Sequence, residues 1–84
     1  MITALRLKRV MMAIRGRALH DPIYAHCQRW LDALFEGREL PDPAELSPIQ
    51  ADVAQEVLEP FVGLRGLEFL ALRGFWRETR REKK

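Results

Sequence analysis

Residues 21–37 read DPIYAHCQRWLDALFEG, and local signals mark both ends of a helix in this stretch. Asp21 is suited to cap the first turn, and Pro22 at the first helical position loses nothing by lacking an N–H. Gly37 favours the left-handed conformation in which helices commonly end. At helical spacing the apolar face carries Ile23, Cys27, Trp30, Leu31 and Leu34. The polar face carries His26, Arg29, Asp32 and Glu36. The pattern predicts a helix over about 22–36.

A second set of local signals predicts a helix over about 48–59. Ser47 and Gln50 are spaced as a capping box, in which each side chain bonds to a free backbone amide of the first turn. Pro60 lacks an N–H and disfavours helix at the residue before it, so the helix should end there. In the preceding connection, an Asp-Pro pair at 42–43 repeats the start signal and predicts one short turn.

The first helix, predicted over about 2–19, has two apolar stripes rather than one. The first stripe contains Leu7, Met11, Ile14 and Ala18. The second stripe contains Leu5, Met12 and Leu19, which recur every seven residues. A surface helix needs only one apolar stripe to pack on a core. The second stripe therefore predicts contact with a further neighbour, which could belong to another chain.

The last helix, predicted over about 61–80, is apolar around most of its circumference. Its apolar residues are Phe61, Leu64, Leu67, Phe69, Leu70, Ala71, Leu72, Phe75 and Trp76. So wide an apolar face is typical of a central helix or of one that another protein covers. Glycines near its start support an alternative in which residues 60–66 form a loop and the helix begins near Leu67. The charged segment 78–84 is expected to fray.

Charge is divided along the chain, although the net charge is only +2. Residues 1–20 carry five basic and no acidic residues, residues 21–72 carry three basic and ten acidic residues, and residues 73–84 carry six basic and two acidic residues. The basic ends either fold back to offset the acidic middle or bind an external anion, and we favour the first interpretation. The candidates for a basic face are Arg6, Arg9, Arg17, Arg73, Arg77, Arg80 and Arg81.

No set of residues in the sequence points to catalysis, a metal or a cofactor. His20, Asp21, His26 and Cys27 lie close together, but a zinc site needs converging ligands and no second pair follows elsewhere. Cys27 and Ser47 both lack an oriented base that would activate a nucleophile. We expect no enzymatic activity, no metal and no cofactor, and we expect a buried thiol beside an exposed or capping histidine.

The composition is typical of one soluble globular domain over residues 1–84, with 48% hydrophobic and 31% charged residues. No stretch approaches the roughly 20 consecutive apolar residues of a membrane span. The single cysteine suits a reducing compartment, and we expect a cytoplasmic location. Eleven arginines against three lysines suggest a GC-rich coding genome, of bacterial or phage origin.

These patterns predict a small all-α bundle of three or four helices, completed by homodimerisation. The first and last helices have more apolar surface than so short a chain can cover, so we expect them to form the dimer. The interface candidates are Leu5, Met12, Leu19, Leu64, Phe69, Leu72, Phe75 and Trp76. The expected function is a non-enzymatic interaction module, of the adaptor, anti-activator or inhibitor type, that binds an unidentified protein. The alternative is a small nucleic-acid-binding regulator that uses the basic ends.

Overall fold

A computed structural model of the protein describes residues 3–81. Within this range all regular structure is helical, which confirms the all-α prediction. The helices, named in chain order, are α1 (Ala4–Arg17), α2 (Pro22–Glu36), α3 (Pro48–Leu58) and α4 (Gly66–Arg81). Two short 3₁₀ turns span Pro43–Glu45 and Glu59–Phe61. None of the helices in residues 3–81 has the length and apolar composition to cross a membrane.

The helix ends that local signals predict around α2 and α3 are confirmed. The Asp21 carboxylate accepts a hydrogen bond from the amide two residues later at 2.9 Å, and Gly37 ends α2 with a φ of 71°. Ser47 and Gln50 form the reciprocal capping box, with N···O distances of 3.1 and 3.2 Å. The Asp-Pro pair at 42–43 opens the predicted short turn. These interactions all lie within a few residues of one another.

The start of α4 lies later than the wide apolar pattern predicts. Residues 59–65 form a 3₁₀ turn and a loop between α3 and α4, so the alternative with a loop in this region is confirmed. Gly63 and Gly66 have φ values of +83° and +70°. Because a right-handed helix cannot continue through such a conformation, the apolar residues before Gly66 are not part of α4.

The outer ends of α1 and α4 also differ from the prediction. α1 ends at Arg17, two residues earlier than predicted, and its predicted start at Ile2 lies outside the described residues. α4 remains helical through Arg81, and an ion pair from Arg80 holds its last turn against α2. The fraying predicted for 78–84 is therefore wrong up to Arg81, and the last three residues lie outside the described range.

One hydrophobic core lies between α2 and the other three helices. Its buried side chains are Leu7, Met11, Ile14, Cys27, Leu31, Phe35, Ala54, Leu58, Phe61, Leu72 and Trp76. α2 packs against α1 and α3, and α1 packs in addition against α4. The first apolar stripe of α1 therefore faces the core, which leaves its second stripe for another surface.

Candidate protein-interaction face

α1 and α4 lie side by side and run in the same direction. Lys8 Nζ lies 5.2 Å from the ring centroid of Phe75. Further along both helices, Arg15 Nη1 donates a hydrogen bond to Thr79 Oγ1 at 3.4 Å, and its guanidinium lies 5.8 Å from the ring centroid of Trp76. Residue numbers therefore increase together along the contact. All of these contacts on α4 lie in its second half.

The second apolar stripe of α1 borders this contact. Leu5, Met12 and Leu19 are 60%, 49% and 76% exposed. Residues seven apart return to the same side of a helix after about two turns. Lys8 and Arg15, which contact α4, each follow a residue of the stripe by three positions and so lie beside it. Leu5 and Met12 therefore lie beside the contact between α1 and α4, whereas Leu19 lies in the turn after α1.

α4 carries an exposed apolar row of its own. Leu67 and Leu70 are 86% and 49% exposed. They lie on the side of α4 opposite Leu72 and Trp76, which point into the core. We name the exposed apolar residues of these two rows together the outer face, which consists of Leu5, Met12, Leu19, Leu67 and Leu70.

Each of the two helices carries a glycine on its outward side. Gly16 lies one turn after Met12 and Gly74 lies one turn after Leu70, and a Cβ added at either glycine would meet nothing within 4 Å. A glycine inside a helix costs about 1 kcal/mol relative to alanine. No contact within the described chain accounts for this cost. Both glycines therefore suit a surface that a second backbone approaches closely.

Two of the predicted interface residues belong to the core instead. Leu72 and Trp76 are 0% and 1% exposed, so the prediction that they line an interface is wrong. Trp76 Nε1 donates a hydrogen bond to the Asp32 carboxylate, which turns this side of α4 towards α2. Asp32 is correspondingly half-buried, although the sequence pattern placed it on a polar face.

Three other candidates lie at the edge of the core. Leu64, Phe69 and Phe75 are partly buried and pack against it, and the Phe69 ring centroid lies 5.3 Å from that of Phe35. The large apolar residues of α4 that are exposed but were not among the candidates are Leu67 and Leu70. Their helical positions opposite Leu72 and Trp76 were the available signal, but the apolar pattern alone did not show which side faces inward.

Two of the seven predicted basic-face arginines are paired with acidic residues of α2. Arg77 Nε lies 3.3 Å from Glu36 Oε2, and Arg80 Nη2 lies 3.4 Å from Asp32 Oδ2. The basic C-terminal segment thus folds back against the acidic middle of the chain, as the favoured interpretation predicts. Both ion pairs also hold α4 in place.

The remaining five arginines are spread over two helices. Arg17 donates a hydrogen bond to the Tyr24 hydroxyl at 3.0 Å and stacks on its ring. Of these five arginines, Arg73 is half-buried, and the exposed ones are Arg6, Arg9, Arg17 and Arg81. An open cavity of about 500 Å³ at one end of the bundle is lined by Arg15, Gln28, Arg80 and Arg81. The structure therefore gathers a few of the basic residues at one end, but does not unite all seven on one face.

His26 is buried rather than exposed, which corrects the expectation for the polar face of α2. It is 3% exposed, and its Nδ1 lies 2.7 Å from Glu45 Oε2. Arg29 contacts the same carboxylate oxygen. The pKa of Glu45 lies below its usual value. The main cause is the hydrogen bond between its carboxylate and His26, and the second is the hydrogen bond from Arg29. This cluster attaches the connection before α3 to the surface of α2.

Cys27 lies within the core and is not a reactive thiol. Its burial, and to a smaller extent the charge of Asp21, raises its pKa to about 11. Because the thiolate is the nucleophilic form, such a cysteine is inert at neutral pH. Within residues 3–81, no group of three or more His, Cys, Asp or Glu side chains could hold a metal ion.

No protein-family model matches the chain, and neither a curated protein nor a solved structure was found that matches it.

Proposed function

We propose that this protein is a non-enzymatic interaction module, of the adaptor, anti-activator or inhibitor type, and that it binds a partner protein through the outer face. The supporting observation is that five large apolar side chains, on α1, on α4 and in the turn after α1, are each at least 49% exposed. Full burial of one leucine side chain stabilises a complex by about 1.5–3 kcal/mol. Contiguous apolar patches on a small protein commonly mark interaction sites.

The charges beside the outer face indicate the chemistry of the partner. Lys8 and Arg15 lie on one side of the α1 stripe and Arg9 lies on the other, while residues 1–20 contain no acidic residue. Complementary charge around an apolar contact orients a partner and excludes wrong ones. The partner that fits is an amphipathic helix whose apolar stripe is flanked by Asp or Glu and which lies along the groove between α1 and α4.

Two designed peptides test this proposal. Both carry the same leucine stripe at helical spacing, and the flanking positions are Glu in one peptide and Lys in the other. In fluorescence anisotropy titrations, the Glu peptide is expected to bind at least about tenfold more tightly, a difference of roughly 1.4 kcal/mol. Met12→Glu should abolish this binding, whereas Leu40→Lys, at an exposed apolar residue outside the outer face, should preserve it. Equal affinities for the two peptides would contradict the proposal.

A second copy of the chain is one partner that the outer face would accept, and we propose self-association at micromolar concentration. Burial of the exposed leucines in a second copy removes them from water, and dimers are the commonest oligomers of small soluble proteins. Size-exclusion chromatography with light scattering measures the oligomeric state, and a monomer throughout the micromolar range would oppose self-association.

The buried free thiol of Cys27 suits a reducing compartment, and we propose the cytoplasm as the location.

A nucleic-acid-binding regulator is the second candidate function. The observation in its favour is the cavity lined by Arg15, Arg80 and Arg81, since clustered guanidinium groups suit phosphate. The ion pair between Arg80 and Asp32 reduces this positive charge. Anisotropy titrations with duplex and single-stranded DNA at two salt concentrations test it. Tight binding that weakens steeply with salt, and that is lost in Arg81→Glu, would favour this candidate, and little binding at low salt would remove it.

A further inference from the structure

α3 presents an exposed apolar pair that neither the core nor the outer face uses. Ile49 and Val53 are 78% and 39% exposed, and they lie one turn apart on the same side of α3. The capping box at Ser47 holds the first turn of α3, so Ile49 is displayed on an ordered helix end. The opposite side of α3 contributes Ala54 and Leu58 to the core. The exposed pair is therefore directed away from the body of the bundle.

Acidic residues accompany this apolar pair. Asp52 and Glu56 are exposed, and both lie within one turn of Val53. Between residues 39 and 64 the sequence contains acidic residues but no lysine or arginine. α3 is thus an amphipathic helix whose exposed apolar pair has two carboxylates along one side. This is the chemistry that the proposed function assigns to a partner of the outer face.

We infer that α3 of a second copy occupies the outer face of the first copy, so that the protein self-associates head to tail. This inference rests on the proposed function and names one occupant of the same face. A contact between the α1 stripes of two copies would bring Lys8, Arg9 and Arg15 against the same three residues, with no acidic residue on either helix. A contact between α1 and α3 places Arg9 and its basic neighbours against Asp52 and Glu56 instead.

Such a contact joins two different surfaces, so it leaves a free outer face at one end of a pair and a free α3 at the other. Heterologous contacts of this kind form rings when the rotation closes and open chains when it does not. An isologous dimer, in which the outer faces of two copies contact each other, would leave no free outer face, so it could not extend into a chain. The two arrangements therefore differ in what a mixture of disabled copies does.

Two variants, each with one new charge at an exposed apolar position, distinguish the head-to-tail contact from the isologous dimer. Met12→Glu places an acid on the outer face, where it repels the acidic α3, and Ile49→Lys places a base on α3, where it repels the basic α1. Both positions are well exposed, so the fold should persist, and circular dichroism checks this. Sedimentation velocity at low salt is expected to show assembly of the wild-type protein and monomers for each variant alone. A mixture of the two variants should assemble, because the intact outer face of Ile49→Lys can bind the intact α3 of Met12→Glu.

Other outcomes overturn the inference. Self-association of Ile49→Lys equal to that of the wild-type protein would show contact between two outer faces, and a monomeric wild-type protein would remove self-association altogether. Leu40→Lys is the control, since it adds the same charge at an exposed apolar residue and should assemble normally. The Glu-flanked peptide separates the two proposals. If the peptide binds the Ile49→Lys variant but no heterodimer forms, only the head-to-tail contact fails. If the peptide does not bind the wild-type protein, the proposed function fails.

Discussion

Trp76 and Asp32 join α4 to α2 through a hydrogen bond from the indole Nε1 to the carboxylate, across 44 residues of sequence. The indole is buried, and the same carboxylate forms an ion pair with Arg80. The Asp32 carboxylate therefore accepts the hydrogen bond of the buried indole N–H and also offsets the positive charge of Arg80. This contact turns one side of α4 towards the core, and as a consequence Leu67 and Leu70 face outward.

Asp32→Ala should reveal the strength of this contact. The substitution leaves the indole N–H of Trp76 buried without its acceptor, which is expected to lower the free energy of unfolding by about 1–3 kcal/mol. Urea denaturation followed by circular dichroism measures the change. Asp52→Ala removes an exposed acid of α3 and should change stability by less than about 0.5 kcal/mol. If the two substitutions had equal effects, the hydrogen bond to Trp76 would not hold α4.

Gly74→Ala and Gly63→Ala are expected to change stability in opposite directions. Gly74 lies inside α4 with open space around its Cα, so alanine should stabilise the chain by about 1 kcal/mol through its higher helix propensity. Gly63 has a φ of +83°, so alanine there should destabilise the chain by about 1–2 kcal/mol. Thermal unfolding under conditions that keep the protein monomeric gives both values.

The position of Gly74 on the outward side of α4 adds a second expectation. The added methyl group of Gly74→Ala should weaken self-association and binding of the Glu-flanked peptide, even though the single chain becomes more stable. A variant that is more stable and also associates more tightly would show that no backbone approaches this glycine closely.

Glu45 should make stability depend on pH in the acid range. Its pKa in the folded protein is lowered from the usual 4.5, so the folded state releases this proton more readily than the unfolded chain does. The stabilisation is therefore complete above that usual pKa and is lost as the pH falls through the lowered value. Glu45→Gln should reduce stability at neutral pH and flatten its acid dependence in thermal unfolding scans. Glu39→Gln, in the same connection, is the control for the loss of one exposed negative charge.

Cys27 should resist modification while the chain is folded. Burial raises its pKa from 9.0 to about 11, and the thiol is fully enclosed by the core. An aromatic disulfide reagent at about pH 8 should therefore label the native protein only as fast as the protein unfolds, and should label it at once in denaturant. Because the unfolded thiol ionises first, stability should fall as the pH rises from 9.0 to about 11, and Cys27→Ala should lack this dependence. Rapid labelling of the folded protein would contradict the enclosed thiol.

The sequence by itself determined where α2 and α3 begin and end. The caps at Asp21 and Ser47 and the left-handed residue Gly37 act on amides and carbonyls within about one turn of each other. Interactions of such short range need no distant partner, so their sequence signals suffice. The first apolar stripe of α1 was likewise predictable as a core face, because its spacing follows the helical repeat.

Only the tertiary structure decided which apolar residues of α4 face outward. A helix that is apolar around most of its circumference has no preferred side in the sequence, so Leu67 and Leu72 were equivalent there. The partners that separate them, Asp32 for Trp76 and Phe35 for Phe69, lie more than thirty residues away. The burial of His26 likewise depends on Glu45, 19 residues further along the chain. Contacts at such separations arise only when whole helices pack, and for that reason the α4 part of the outer face could be located only from the folded chain.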